Sequence, residues 1–302
     1  MQPFTFFLDW VISAQFAGLC WAVEKGLYAQ AGLEVDLCPW TEDGRSIVDK
    51  VVAGGLCAGS SEDNLIVSGV ITGRGIKALG VMLQESPLVL MTKPSSGIQS
   101  LTDLRGKRVA MHVDGIRILE AVLALHSINQ SEIELTEVTF DLDNLVQDRF
   151  DAVQGYAMTE PIMLAAMGVE VHLIPIRHRQ LHPYAQVFFA TEPCIAQNPD
   201  IIRSFLAASW AGWQQAMTYR DEAARIVVKM SGDTADLATE RRILEQVYSF
   251  ATGNMGLEWF GMLDVERWEY NLESYARFGI TSRKLTTAEV VEDRFLKEIY
   301  AL

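Results

Sequence analysis

The stretch that decides the fold is Phe4-Thr-Phe-Phe-Leu-Asp-Trp10, which is followed by a helical run to Gly26 and by Leu33-Glu-Val-Asp-Leu37. The first run starts as an apolar segment of strand length and ends in Asp9 and Trp10. The helical run keeps its apolar residues on one stripe, so the whole predicts a strand–helix–strand opening. In open α/β sheets, ligands bind at the carboxyl ends of the strands. A carboxylate and a flat aromatic ring at that end predict a site for a small flat polar molecule.

Length and composition predict a globular protein with two domains or lobes. The chain has 302 residues, of which 49% are hydrophobic and 21% charged, and a chain of this length can bury a large core. Its net charge of −14 offers no broad basic surface, which argues against a nucleic-acid or anionic-membrane partner. No apolar run approaches the ~20 residues that a helix needs to span a bilayer.

The first residues do not combine a basic segment, an apolar segment and a cleavage site in the manner of a signal peptide. We therefore expect a periplasmic or other extracytoplasmic location if a targeting segment was removed from the chain, and a cytoplasmic location otherwise. The cysteines Cys20, Cys38, Cys57 and Cys194 form no CxxC pair and no zinc-like spacing. Free thiols are expected, with a Cys38–Cys57 bridge between neighbouring strands as the open alternative.

Strands and helices alternate along most of the chain, which is the pattern of parallel doubly wound sheets. Two such sets are separated by a turn, and the second set is inserted into the first. We predict a discontinuous first lobe of residues 1–91 and 187–302 and an inserted second lobe of residues 92–186. After the opening, strands are predicted at 56–58, 76–82, 88–92, 107–112, 137–140, 150–155, 169–175 and 185–190.

Polar or aromatic residues recur at successive strand ends, which face a cleft in a two-lobed α/β protein. Carboxylates accept hydrogen bonds from exocyclic amines and protonated ring nitrogens, and Trp or Tyr rings stack on a flat ligand. This mixture suits an aminopyrimidine, whereas a sulfonate or nitrate would require Arg, Lys or helix N-termini. Helix capping by Asp and core packing of the two tryptophans remain alternatives. The candidate residues are Asp9, Trp10, Trp40, Ser60, Ser61, Glu85, His112, Asp114, Tyr156 and Glu160.

Sequence motifs of common enzymes are missing from the chain, which has no GxSxG, HExxH, Walker A or strand-anchored GxGxxG motif. Three histidines fall within residues 172–182, but His178-Arg-Gln-Leu-His182 lies in a basic loop without an acidic ligand near in sequence, which favours a surface loop over a metal site. We therefore expect a binding protein and not an enzyme.

Several segments resemble the thiamine-pyrimidine-precursor solute-binding proteins. Their opening and second-lobe signatures, and a segment that ends in a glutamate, all have counterparts here. The wider clan of sulfonate, taurine and nitrate binders shares some of these pieces, so they define the fold better than the ligand. The matching segments are Leu8-Asp-Trp10, Ala22-Val-Glu-Lys-Gly-Leu-Tyr28, Gly32-Leu-Glu-Val-Asp36, Leu101-Thr-Asp-Leu-Arg-Gly-Lys-Arg-Val109 and Asp151-Ala-Val-Gln-Gly-Tyr156 with Glu160.

This resemblance implies a type 2 periplasmic-binding-protein fold, with parallel-rich sheets flanked by helices and a cleft that closes over an aminopyrimidine. It implies that Trp10 stacks on the ring, that Glu160 binds the pyrimidine and that Asp9 adds a polar contact. Tyr184 resembles a tyrosine that the family has just before the return strand and is a further candidate. The chain departs from the family after Trp10, where Gln15 or Phe16 is expected to fill the space of a family motif.

Fungal relatives of the same family synthesise the pyrimidine phosphate with a Lys and a His. These two residues align with Ser61 and Leu65, neither of which could form a Schiff base or donate a ring nitrogen. A synthase is therefore the weaker alternative, and a binder of another solute such as a sulfonate is a second alternative.

The favoured prediction is a monomeric solute-binding protein without cofactor or metal, which serves uptake or sensing. Its expected ligand is a thiamine precursor such as formylaminopyrimidine or hydroxymethylpyrimidine. Its partner would be an ABC permease or a fused sensor kinase.

Overall fold

The computed structural model describes residues 1–232 and 234–302. These residues divide into two compact units, each with its own sheet. The first unit contains Met1–Glu85, Pro183–Leu272 and Leu285–Leu302, and the second contains Ser86–His182 and Glu273–Lys284.

Two five-stranded sheets account for ten strands in the described part of the chain. The strands are β1 (Gln2–Phe7), β2 (Leu33–Cys38), β3 (Cys57–Ser61), β4 (Ile76–Leu83), β5 (Leu88–Thr92), β6 (Arg108–Met111), β7 (Glu134–Glu137), β8 (Ala152–Tyr156), β9 (His172–Pro175) and β10 (Ala185–Thr191).

Fourteen α-helices lie in the same described residues, and short 3₁₀ turns connect some of them. The helices are α1 (Ala17–Glu24), α2 (Leu27–Gln30), α3 (Ile47–Ala53), α4 (Asp63–Ile71), α5 (Val113–Leu125), α6 (Asp143–Val146), α7 (Glu160–Ala166), α8 (Glu192–Gln197), α9 (Pro199–Thr218), α10 (Arg220–Met230), α11 (Leu237–Thr252), α12 (Val265–Arg277), α13 (Thr287–Val290) and α14 (Arg294–Tyr300). Within residues 1–232 and 234–302, no helix has the length and apolar character that crossing a membrane requires.

The sheet of the first unit has the order β2-β1-β3-β10-β4. The opening strand β1 lies parallel to β2 and β3, as the strand–helix–strand pattern predicts. The return strand β10 is antiparallel to both β3 and β4. The α/β class is therefore confirmed, and the sheet is mixed because the chain re-enters it from the opposite direction.

The sheet of the second unit has the corresponding order β7-β6-β8-β5-β9. Its strands β7 and β8 run parallel to β6, and β5 is antiparallel to β8 and β9. The sequence prediction placed residues 88–91 in the first lobe, but β5 belongs to this second sheet because both of its neighbours do. Residues 273–284 also belong to the second unit, although the sequence prediction gave them to the first lobe.

Two element boundaries differ from the sequence prediction for physical reasons. The strand predicted at 137–140 lies at Glu134–Glu137, where an exposed, charged edge strand pairs with β6 and offers no apolar run to detect. The third strand extends to Ser61, and α4 begins at Asp63 and not at Leu65. The predicted polar loop is therefore partly strand and helix, and its polar residues are buried.

Aromatic packing between the sheet and α9 forms the core of the first unit. The ring of Phe6 lies 4.5 Å from Phe188 and 5.1 Å from Phe205, measured between centroids. Trp210 continues the cluster, with its ring 5.0 Å from Phe188. Alternation along β1 directs Phe4 and Phe6 into this core, while Thr5 is half-buried. The strand is thus held firmly up to the point where Asp9 follows it.

All four cysteines are free. The alternative of a Cys38–Cys57 bridge is wrong, because β1 lies between the strands that carry the two thiols. Burial raises the pKa of both the Cys20 thiol, to about 12, and the Cys57 thiol, to about 11.

Candidate functional site

The carboxyl edge of the first sheet brings Asp9 and Ser60 together. Since β1 and β3 are parallel, their carboxyl ends lie at the same edge. The hydroxyl of Ser60 donates to Asp9 Oδ1 at 2.7 Å, and the backbone N–H of Asp9 donates to Ser60 Oγ at 3.2 Å. The sequence-predicted pair of a carboxylate and a serine is therefore a hydrogen-bonded unit that fixes the start of the loop after β1.

Trp10 and Trp40 form a second feature of this edge. Both indoles are half-buried, their ring centroids lie 5.7 Å apart and their planes differ by 21°. The backbone N–H of Trp40 also donates to the carbonyl of Trp10 at 3.1 Å. The two tryptophans follow neighbouring parallel strands, which explains why two positions 30 residues apart in sequence stack on each other. Neither ring is fully enclosed in the core.

The loop that carries Trp40 is held by a lysine that sequence analysis did not single out. Lys50 is 7% exposed, and its ammonium donates to Thr41 Oγ1 at 3.0 Å and lies 3.2 Å from Asp43 Oδ2. Hydrogen bonds from the backbone and side chain of Arg45, and the nearby Lys50, lower the pKa of Asp43 to about 2. This buried lysine is thus committed to the loop.

The residues after Ser60 form a buried polar segment of the same edge. Ser61 is 4% exposed, and Asp63 is fully buried at the start of α4. The carboxylate of Asp63 accepts the backbone N–H of Tyr184 at 2.8 Å, which links α4 to the beginning of β10. The fully buried ring of Tyr184 lies 3.8 Å from the Arg267 guanidinium carbon. Burial raises the pKa of Tyr184.

Two further predicted residues, Gln15 and Glu85, belong to the first unit. Gln15 is 2% exposed in the 3₁₀ turn Ala14–Phe16. The turn is anchored by Glu240, whose Oε2 accepts the backbone N–H of Ala14 at 2.6 Å, and burial raises the pKa of Glu240. The side chain of Glu85 is exposed, and its backbone N–H donates to the carbonyl of Phe250.

In the second unit, Gln154 holds His112 and Asp114 at the carboxyl edge of the sheet. Its Oε1 accepts the backbone N–H of His112 at 3.0 Å, and its Nε2 donates to Asp114 Oδ1 at 3.0 Å. A β-carbon on Gly115 would lie 2.3 Å from Gln154 Oε1, so only glycine permits this close approach. Burial lowers the pKa of His112, and the neighbouring Asp114 carboxylate opposes that shift.

Glu160 is the most perturbed carboxyl group of this second edge. It is 6% exposed, and its Oε2 accepts the backbone N–H of Tyr156 at 2.6 Å. Burial raises its pKa from 4.5 to about 7, against the lowering effect of hydrogen bonds from backbone N–H groups. Near neutral pH this group is therefore present in both its protonated and its ionised form, so it can give a proton or accept hydrogen bonds.

Sequence reasoning missed Gln154, Asp63 and Lys50. Gln154 is a long polar side chain inside a buried strand, and that exception was a usable signal. Asp63 lies in a segment of capping residues, where a structural acid is common. Nothing in the sequence distinguishes Lys50 from the other lysines, because its burial depends on how the loop 41–43 folds back.

A separate cavity of about 480 Å³ lies in the second unit, beside α7 and the edge strand β9. Its walls are partly apolar and partly polar, and none of the sequence-predicted residues lines it. Its lining residues are Pro94, Ile98, Gln99, Pro161, Ala165, Val169, Glu170, Val171, His172 and Leu173.

Comparisons with known proteins give relatives of two kinds. The riboflavin-binding protein RibY of Chloroflexus aurantiacus is 23% identical over 98% of this chain and 86% of its own length. The 4-amino-5-hydroxymethyl-2-methylpyrimidine phosphate synthase of Legionella pneumophila is 21% identical over 74% of this chain and 72% of its own length. The relatives thus include a binding protein and an enzyme.

A likeness to a solved structure identifies the fold. The periplasmic aliphatic sulphonate binding protein SsuA from Escherichia coli gives a TM-score of 0.71 at 14% identity, covering 97% of this chain and 92% of that chain. At such identity the likeness shows the fold alone, and this confirms the predicted periplasmic-binding-protein fold.

The profile of the family described as NMT1/THI5 like matches residues 13–223. This range covers the βα segments that carry Trp40, Ser60, His112 and Glu160 in both units. Because it also spans more than half of the 302 residues, the chain belongs to the NMT1/THI5 like family.

Proposed function

We propose that this protein is a solute-binding protein for a small, flat, polar heteroaromatic molecule, in the first place an aminopyrimidine. The residues that we assign to binding are Asp9, Trp10, His112, Asp114 and Glu160. Delivery to an ABC permease or to a fused sensor kinase belongs to the same proposal.

The observation that carries the proposal is the buried carboxyl group of Glu160, whose pKa is raised to about 7. An aminopyrimidine presents an amine beside a basic ring nitrogen. A carboxyl group that gives its proton to this nitrogen also accepts a hydrogen bond from the amine, so both contacts become charge-assisted. A sulfonate has only acceptor oxygens and would not use a carboxylate in this way.

The stacked indoles of Trp10 and Trp40 support a planar ligand. Aromatic faces contribute stacking energy to any flat ring and require little further ordering when they are already packed. The Ser60–Asp9 pair fixes the backbone next to Trp10, so this face is held before a ligand arrives.

The residues at the aligned synthase positions support binding without synthesis. Ser61 is buried at the end of β3, and Leu65 is a half-buried residue of α4. A hydroxyl and a hydrocarbon supply neither an amine nucleophile nor an imidazole. The buried Lys50 is engaged by Thr41 and Asp43 and is not proposed as a replacement.

Riboflavin is the second candidate ligand, since a riboflavin-binding relative matches 98% of the chain. Its ring system is also flat and rich in hydrogen-bonding groups, so Trp10 would serve it equally. The two candidates differ because the aminopyrimidine carries the amine beside a basic ring nitrogen that Glu160 would recognise, and riboflavin does not.

Isothermal titration calorimetry of the full chain tests the proposal with formylaminopyrimidine, hydroxymethylpyrimidine, riboflavin and an alkanesulfonate. We expect saturable binding of an aminopyrimidine and recovery of the unchanged molecule by mass spectrometry. Binding of riboflavin alone would select the second candidate. Binding of the sulfonate alone, or chemical conversion of the pyrimidine, would contradict the proposal.

A further inference from the structure

Gln186 is a buried polar residue at the edge of the first sheet where Ser60 and Asp9 lie. It is the second residue of β10, with Ala185 opposite Leu83 and Val187 opposite Ser61. Because β10 is antiparallel to β3 and β4, its first residues lie at the carboxyl ends of those strands. The side chain is 1% exposed.

The backbone of Gln186 has a conformation that is rare for its residue type. Its φ angle of 52° is left-handed, although the residue lies inside a strand. The other non-glycine residues with positive φ in the described chain, Ser127, Asp148 and Ala301, are exposed turn residues. A strained backbone in a buried strand persists only where its surroundings impose it, and such strain concentrates at ligand sites.

The amide of Gln186 also differs from the buried amides of Gln84 and Gln154. Its Oε1 has no hydrogen-bond partner within the described residues. Gln84, which is 4% exposed at the end of β4, donates from Nε2 to the carbonyl of Met262 at 2.8 Å. Gln154 uses both its oxygen and its nitrogen. Buried polar atoms are nearly always paired, so an unpaired acceptor at a ligand edge calls for a donor from outside the chain.

We infer that Gln186 is a ligand-recognition residue, whose side-chain carbonyl accepts a hydrogen bond from an N–H or O–H group of the bound solute. This inference rests on the proposed function and deepens it. The acceptor selects solutes with an amine or hydroxyl and disfavours sulfonates, because a site with a buried acceptor discriminates strongly against ligands that cannot donate to it. The side chain therefore contributes to binding and not to the stability of the free protein.

The variant Gln186→Met tests this inference, with Gln84→Met as a matched control from the neighbouring strand. Met keeps the volume of the side chain and removes its hydrogen-bonding groups. We expect Gln186→Met to leave the Tm of the ligand-free protein unchanged or raised by a few degrees, since no hydrogen bond of the carbonyl is lost. Gln84→Met should lower the Tm by several degrees, because the carbonyl of Met262 loses its donor.

Calorimetry with the aminopyrimidine, or with riboflavin if that is the ligand, completes the test. Gln186→Met should weaken binding about tenfold, the effect of one lost hydrogen bond in a buried site. A Tm loss as large as that of Gln84→Met would show a structural role, such as holding an internal water, and would overturn the inference. Binding equal to wild type would overturn it as well.

If the wild-type protein binds none of the four probes, the proposed function fails and the thermal measurement alone decides the inference. A lowered Tm of Gln186→Met then overturns it. An unchanged or raised Tm supports the inference that the Gln186 amide recognises a ligand, which then belongs to another class than the four probes.

Discussion

The two sheets follow the same plan, yet their carboxyl edges are built differently. In the first unit β1 and β3 are parallel neighbours, and β10 is antiparallel beside β3. In the second unit β6, β8 and β5 take the same places. Asp9 and His112 both follow the first of these strands, and Ser61 and Tyr156 both end the second. The acid that opens the next helix is Asp63 in one unit and Glu160 in the other.

The acids at the first edge are satisfied by the protein itself. Asp9 accepts from Ser60, and Asp63 accepts the backbone N–H of Tyr184. This edge therefore has fixed polar groups around the half-buried pair of Trp10 and Trp40. We call the stacked pair of Trp10 and Trp40 the aromatic platform.

At the second edge, burial raises the pKa of the acid Glu160. The backbone N–H of Tyr156 stabilises the ionised form of Glu160, but burial outweighs that effect and brings its pKa to about 7. The difference teaches that a common topology can place a structural acid and a titrating acid at equivalent positions. Which one results depends on how much of the carboxylate the neighbouring groups satisfy.

The largest expected effect is on the pH dependence of stability, and it isolates Glu160. Its folded pKa lies above its unfolded value, so the stability from the neutral carboxyl is present below about pH 4.5 and is lost as pH rises through about 7. The loss amounts to at most about 3 kcal/mol. Urea unfolding of the ligand-free protein at pH 5 to 8 should show this decline, and Glu160→Gln should remove it. Parallel profiles for the two proteins would refute the titrating role.

The next effect concerns the aromatic platform. Trp10→Ala should weaken ligand binding roughly 30-fold in calorimetry, because stacking of a flat ring on an aromatic side chain contributes about 1–3 kcal/mol. Trp259→Ala is a suitable control, since this half-buried tryptophan packs against Tyr300 in the same unit and belongs to neither edge. An equal loss of ligand affinity in both variants would indicate general destabilisation. It would contradict the assignment of ring stacking to the first edge.

A smaller effect is expected when Glu160 is tested in binding. Glu160→Gln should lower the aminopyrimidine affinity about tenfold near pH 6.5, because it cannot give its proton to the ring nitrogen. Above the pKa of about 7 the wild-type carboxylate must first take up a proton, so its affinity should fall and approach that of the variant by pH 8.

The exposed Glu170 provides the matched acid for this binding test. Glu170→Gln should bind like the wild type at every pH. A wild-type affinity that rises between pH 7 and 8 would contradict the assigned proton transfer.

The sequence allowed prediction of the features that depend on local pattern. The apolar run before Asp9 defines β1, and its abrupt polar end marks the carboxyl edge of the sheet. This feature can be read because a buried strand requires a continuous apolar segment. Glu160 was located differently, through the family resemblance around Tyr156.

Features that depend on register or on distant contacts could not be predicted. The bond from Tyr184 to Asp63 joins residues 121 positions apart. The role of Gln154 follows from the pairing of Ala110 with Val153, which places this side chain beside the loop after β6. The strained φ of Gln186 is likewise invisible in the sequence, since strain is imposed by neighbouring strands and not by residue type.

The smallest expected effect tests whether the aromatic platform depends on the buried Lys50, as the loop after β6 depends on Gln154. Lys50→Met should weaken ligand binding about threefold, because Thr41 and Asp43 lose the buried ammonium that orders the loop of Trp40. Arg45 contacts the same Asp43 carboxylate, but its side chain is 63% exposed, so Arg45→Met should have little effect.

A Trp40→Ala background decides whether Lys50 acts through the indole. If Lys50 only positions Trp40, adding Lys50→Met to Trp40→Ala should cause no further loss of affinity in calorimetry, because the two changes remove one and the same contribution. A full additional threefold loss would mean that the ammonium meets the ligand directly. The first edge would then carry a positive charge toward the solute, and the contrast between an aromatic platform and a titrating edge would have to be redrawn.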